Sequence, residues 1–102
     1  EGSEYRILKG GEKTIRKFHP IIVYEYSPSI DKLINFQNSK NAFIFIKKMR
    51  YKQYRIFKKR ILIDMKNYNA NFADCNIICF HESNLPQFLE NKNYFKTIFS
   101  IH

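Results

Sequence analysis

The sequence predicts an α/β fold with a mostly parallel sheet covered by helices, and three observations carry that expectation. A helical segment broken by Gly10 and Gly11 stops at Pro20. The apolar residues of 20–26 then run without alternating with polar ones, the pattern of a strand buried on both faces. A second helical segment at 42–49 leads into a second strand-like run, Tyr51–Phe57, so helix and strand alternate along the chain.

In chain order, Ser3 stands where it can cap a helix whose first turn carries Glu4, with Tyr5 and Leu8 on one side. Gly10-Gly11 ends that helix, and a second short one is expected over Glu12–Phe18, burying Ile15 and Phe18. Pro20 biases His19 out of the helical region, which opens the strand 21–26. Helix, stop and buried strand make half of a crossover unit. Ser27-Pro28-Ser29 reads as turn chemistry, and the polar stretch 35–41 as a loop. Residues 42–49 have mixed signals: Phe43-Ile44-Phe45-Ile46 favours a strand, whereas Ala42, Phe45, Ile46 and Met49 share one helical face. A helix is expected, capped by Ser39 or Asn41, because it lets the chain return to start a strand beside the first. Tyr51–Phe57 is that strand, Lys58-Lys59-Arg60 a tight basic turn, and 61–63 its hairpin partner. An Asn-rich loop spans 64–74. A short strand follows at 76–80, with Ile77 and Cys79 on one face and Ile78 and Phe80 on the other. The last element is a helix over 84–99, with Pro86 near its start and an apolar stripe of Leu85, Phe88, Leu89, Phe95 and Phe99.

A chain of 102 residues forms one domain or part of one, with a modest core. No apolar run approaches the roughly 20 residues of a membrane helix, and residues 1–4 lack the basic and apolar regions of a signal peptide. A soluble, cytoplasmic protein is therefore expected. Cys75 and Cys79 have no second pair to complete a zinc site or disulfide framework, and read as two buried or half-buried free thiols. The formal charge of +9 bears on solubility and non-specific association, not on fold.

Glu1-Gly2, Glu4, Leu8-Lys9-Gly10, Ile15, Pro20-Ile21-Ile22 and Glu25 together resemble the E-G-x-E-x-x-x-L-K-G … I … P-I-I-x-x-E pattern of the FkbM family of methyltransferases. Phe45-Ile46-Lys47-Lys48-Met49-Arg50-Tyr51-Lys52 resembles the end of the family's next helix and the start of its following strand. Arg50 stands where the family often has glycine. The resemblance implies the C-terminal half of a Rossmann-like class I methyltransferase sheet that uses S-adenosylmethionine. In it, 21–26 would be the fifth strand, Tyr51–Phe57 the sixth, and 76–80 the last, antiparallel strand slotted between them. Residues 1–102 would then be a partial domain. The cofactor-binding N-terminal half would lie outside the chain, which contains no G-x-G-x-x-G and assigns no residue to the cofactor.

The activity implied is displacement at an activated methyl group by a hydroxyl of a small-molecule or sugar-like acceptor, with the protein supplying position and a proton acceptor. Ligands of open α/β sheets sit at the carboxyl ends of strands. On that basis Glu1 and Glu25 are the candidate catalytic residues, Glu1 as pocket wall or acceptor and Glu25 as orienter of the substrate. Gly2 and Glu4 are the candidate substrate-binding residues, and no metal ligand is expected. The bland alternatives are a solvated terminal carboxylate for Glu1 and a strand-end ion pair for Glu25. Residues 47–60 carry eight positive side chains, no acid, and Tyr51, Tyr54 and Phe57. They read as lysines guarding an edge strand in preference to nucleic-acid contacts. The alternative for the whole chain is a non-catalytic basic α/β module that binds single-stranded nucleic acid.

Overall fold

A computed structural model describes residues 3–57 and 61–86. The elements are α1 (Glu4–Gly10), α2 (Glu12–Phe18), β1 (Ile22–Tyr26), α3 (Pro28–Leu33), α4 (Asn38–Lys48), β2 (Tyr51–Phe57), β3 (Ile61–Asp64), β4 (Cys75–His81) and a 3-10 turn, Glu82–Asn84. The strands form one sheet in the order β1-β4-β2-β3, and every neighbouring pair is antiparallel. The expected mostly parallel sheet is thus corrected. β1 and β2, brought round by α3 and α4, do run the same way, but β4 returns through the 64–74 loop and is inserted between them. That insertion is the arrangement the resemblance implied for the last strand. The hairpin of β2 with 61–63 is also present, extended to Asp64.

One face of the sheet holds the core. Ile22, Tyr24 and Tyr26 of β1, Ile77 and Cys79 of β4 and Tyr51 of β2 form a single buried cluster with Leu8, Ile15, Ala42, Phe43, Ile46 and Met49 from the helices. α4 supplies most of the helical side because its apolar residues recur at helical spacing and its buried residues face the strands. The opposite face of β1 is open: Ile21 is 63% and Val23 58% exposed, so the strand alternates and is not buried on both faces. The sequence run looked continuous because apolar residues occupy both rows, whereas burial depends on what is packed over each row. Phe18, at the last position of α2, is likewise 64% exposed, not buried.

Three further expectations are corrected. Ser27-Pro28-Ser29 does not form a simple turn. Pro28 occupies the first position of α3, where its missing N–H costs nothing. The loop expected over 35–41 is shorter, because α4 begins at Asn38; Ser39 and Asn41 lie within that helix and its boundary residue is Gln37. β2 is not an edge strand, because β3 covers it, so edge protection does not explain its Lys52 and Arg55. Ser3 does sit at the start of α1, without a side-chain capping bond. His19 leaves the right-handed helix as expected, into a left-handed conformation at φ 49°. The basic turn 58–60 and nearly all of the helix expected over 84–99 lie outside the described residues; residues 82–84 are in the 3-10 turn.

The two cysteines are free thiols, Cys79 buried and Cys75 half-buried. Burial raises the Cys79 thiol above its ordinary 9.0 and the Tyr24 phenol above its ordinary 10.0. Both therefore stay neutral in the folded chain while the unfolded chain can release their protons. Their contribution is complete below the ordinary values and is lost as pH rises toward the folded ones. Stability is expected to fall progressively above about pH 9, and Cys79→Ala with Tyr24→Phe is expected to flatten that slope. Urea denaturation at a series of alkaline pH values checks this; an unchanged slope in the double variant counts against it.

Candidate functional site

The carboxyl end of β1 faces the amino end of β4, with Tyr26 paired to Cys75. Glu25 is exposed, one residue before the strand ends, and its Oε1 accepts a hydrogen bond from Ser27 Oγ at 2.9 Å. Ser27 is itself held, because its N–H donates to Ser39 Oγ at 2.8 Å. Two residues on, Ser29 Oγ donates to Asp74 Oδ2, and the Ser29 N–H lies 3.3 Å from Asp74 Oδ1. A groove of about 660 Å³ runs along this end of the fold, lined by Pro28, Ser29, Lys32, Asn71, Phe72 and Asp74 among others. It places hydroxyl, carboxylate and ammonium groups beside an aromatic ring, a mixture suited to a hydroxylated ligand.

Buried polar groups fix the backbone beneath this shelf. Tyr26 Oη donates to the Asn69 carbonyl at 2.5 Å and accepts from the Asn69 N–H at 3.1 Å, tying the 64–74 loop to the strand. Burial pushes the Tyr26 phenol up to about 12 against the opposing pull of the Asn69 hydrogen bond, so it remains a donor at neutral pH. Asp31 accepts from the Ser39 N–H through both oxygens, at 3.0 and 2.9 Å, and from the Lys40 N–H at 3.4 Å. These are free amides of the first turn of α4, so a carboxylate from α3 takes the place of a cap.

The structure separates the residues singled out in the sequence. Glu25 is at the carboxyl end of β1 and reaches solvent. Glu4 accepts from Asn38 Nδ2 at 2.8 Å, while Asn38 Oδ1 accepts from the Tyr5 N–H at 3.0 Å, so Glu4 helps dock α1 on α4. Glu1 and Gly2 lie outside the described residues. Sequence reading passed over Ser27, Ser29, Asp31 and Asp74. A serine directly before a proline, with an aspartate four residues on, was the available signal for the start of α3 and its support.

Gly10 and Gly11 join α1 to α2, and a Cβ on Gly10 would meet nothing within 4 Å, while one on Gly11 comes no closer than 3.6 Å, to Ile7 O. Neither is kept small by close approach of a ligand or another backbone. Among the described residues no group of three or more His, Cys, Asp or Glu could hold a metal ion, and no helix is long and apolar enough to cross a membrane. Within residues 47–60, Tyr51 is buried with its hydroxyl on the Pro20 carbonyl at 2.7 Å, and Arg55 lies 4.0 Å over the Phe72 ring.

Fold and site together define a small α/β unit with a polar shelf at the carboxyl end of a strand. The model of the Methyltransferase FkbM domain matches residues 1–56, more than half of the chain, and the chain belongs to that methyltransferase family. The match runs through α1 to α4 and into β2, ending at residue 56, and includes Glu25. No curated protein and no solved structure matches the chain.

Proposed function

We propose that the chain is the carboxyl-terminal part of an S-adenosylmethionine-dependent, cytoplasmic methyltransferase with a Rossmann-like sheet, acting on an oxygen of a small-molecule or sugar-like acceptor. The observation that carries the reading is Glu25: a family-pattern carboxylate, exposed at the carboxyl end of a strand and steadied by Ser27. The insertion of antiparallel β4 between β1 and β2 supports the fold assignment. Glu25 would accept a hydrogen bond from the acceptor hydroxyl and so orient one oxygen lone pair, and its carboxylate is the group nearest to hand for the proton released. Ser27 limits the carboxylate's rotation. Ser29, Lys32 and Asp74 offer further partners for the hydroxyls of a sugar-like acceptor. The methyl donor would be held by the upstream half, and this chain's part would be the acceptor wall.

Calorimetric titration of S-adenosylmethionine is expected to show no binding to residues 1–102 and binding to the chain extended upstream by its own coding sequence. In that longer protein, Glu25→Ala is expected to lower kcat/KM for methyl transfer about 100-fold with an unchanged melting temperature. Glu25→Gln, which keeps an acceptor oxygen, is expected to lose less. Unchanged turnover in Glu25→Ala would remove Glu25 from the site. Failure of both proteins to bind S-adenosylmethionine would count against the methyltransferase reading as a whole.

A further inference from the structure

At the other end of the sheet from Glu25, the carboxyl ends of α2, α4 and β4 and the amino end of β2 border an open cavity of about 260 Å³. Arg16, His19, Lys48, Arg50, Tyr51 and His81 are among its walls, and no acid is. The His19 and His81 rings are stacked, 3.6 Å apart and 1° from parallel. Ser83 joins them: its N–H donates to His81 Nδ1 at 3.1 Å, and its Oγ lies 2.8 Å from His81 Nδ1 and 3.3 Å from His19 Nδ1. With Nδ1 of His81 an acceptor, that ring carries its proton on Nε2. The in-plane lone pairs of rings stacked so closely run parallel and cannot converge on one metal ion, so the pair is not a metal site.

The charges around the cavity are mostly cationic and only loosely committed. Arg16 pairs with Glu12 at 2.8 Å and Arg50 with Glu82 at 3.2 Å, but both pairs are open to solvent and hold their guanidiniums weakly. The Lys48 ammonium has no hydrogen bond or ion pair among the described residues. His81 is held below its ordinary value by desolvation first, then by His19 and Arg50, which fits a positive local field.

The backbone adds an independent observation. Among the described residues, two of the three non-glycine residues in left-handed conformation border this one cavity, His19 at φ 49° and Arg50 at φ 68°. A side chain there is strained where glycine would not be. Keeping a long cation and an imidazole at both positions costs the fold something, and strain of this kind gathers at ligand sites.

We propose that this cavity binds the dianionic phosphate of a small phosphate monoester, with Arg16, Lys48 and Arg50 as its cationic donors and the His19 ring in its wall. Guanidinium forks match phosphate oxygens in pairs, and the Lys48 ammonium adds a point charge. The ester's organic part would rest toward Ile15, Met49 and Tyr51, the apolar remainder of the lining.

The test is titration of residues 1–102 with inorganic phosphate and, separately, with glycerol 3-phosphate, read by calorimetry and by the ring-proton NMR signals of His19 and His81. Both ligands are expected to shift the two rings, the monoester binding at least as tightly. Arg50→Gly relieves the left-handed strain, so its melting temperature is expected to hold or rise while its phosphate affinity falls about tenfold, the loss of one charge-assisted bond. Lys48→Ala on the exposed helix end is expected to weaken binding without unfolding. Binding of inorganic phosphate alone would overturn the monoester assignment. Rings that do not respond, or an Arg50→Gly variant that binds as tightly as the parent, would overturn the site.

Discussion

Replacing Gln53 by leucine is expected to destabilise the chain by about 2 kcal/mol, because it strips the buried Tyr24 phenol of its acceptor and α4 of a tie to the sheet. Gln53 is 2% exposed and sits in the middle of the sheet. Its Oε1 accepts from Tyr24 Oη at 2.8 Å and lies 3.8 Å from Cys79 Sγ, and its Nε2 donates to the Phe43 carbonyl in α4 at 2.9 Å. One amide therefore satisfies groups from β1, β4 and α4 at once. Leucine fills the space but leaves the buried Tyr24 phenol without its acceptor, at roughly 1–3 kcal/mol, and removes a second hydrogen bond from the Phe43 carbonyl, which lies within α4. Urea denaturation should show a lower midpoint at unchanged slope. Adding Tyr24→Phe to Gln53→Leu should recover part of the loss, because the phenol no longer needs an acceptor. Additive losses in that double-mutant cycle would contradict the shared network.

Asp31→Ala is expected to cost about 2 kcal/mol, and Asp31→Asn about half of that, since the amide keeps one acceptor oxygen. Asp31 is 8% exposed and takes two amides of the first turn of α4, whose own boundary residue, Gln37, makes no capping bond. α4 also carries Ser39, whose hydroxyl holds the Ser27 N–H at the end of β1. Loss of the cap should therefore reach Glu25 through Ser39 and Ser27. Hydrogen exchange at the Ser39 and Lys40 amides is the direct measurement. Faster exchange at the start of α4 and at the Ser27 amide is expected, and protection equal to the parent at Ser39 and Lys40 would show that Asp31 does not cap the helix.

Much of this architecture was legible along the chain. Short-range signals carried it: Gly10-Gly11 between two helices, Pro20 before a strand, and the spacing of Ala42, Ile46 and Met49, all three of which are buried. The FkbM pattern in the first 25 residues pointed to the family, and with it to the position of β4. The start of α3 was not legible because Ser-Pro-Ser serves a turn and a helix start equally well. Burial was not legible at Val23 and Phe18 because an apolar side chain reports its own preference and not the presence of a covering layer. At the shelf, the position of Glu25 near a strand end was legible. Ser29 and Asp74 were not, since their juxtaposition depends on the pairing of Tyr26 with Cys75, distant in the chain.

Local patterns along the chain were enough to specify most of the helices and strands, the family and the strand-end carboxylate, because each rests on neighbouring residues or a fixed spacing. Folding in three dimensions was needed to settle which strands are neighbours, that β2 is interior, that Asp31 caps a helix it does not belong to, and that His19 stacks on His81. Those relations join positions far apart in the chain. Their free energy comes from shared burial and from polar groups that must find partners once water is removed, and neither is encoded in any one segment.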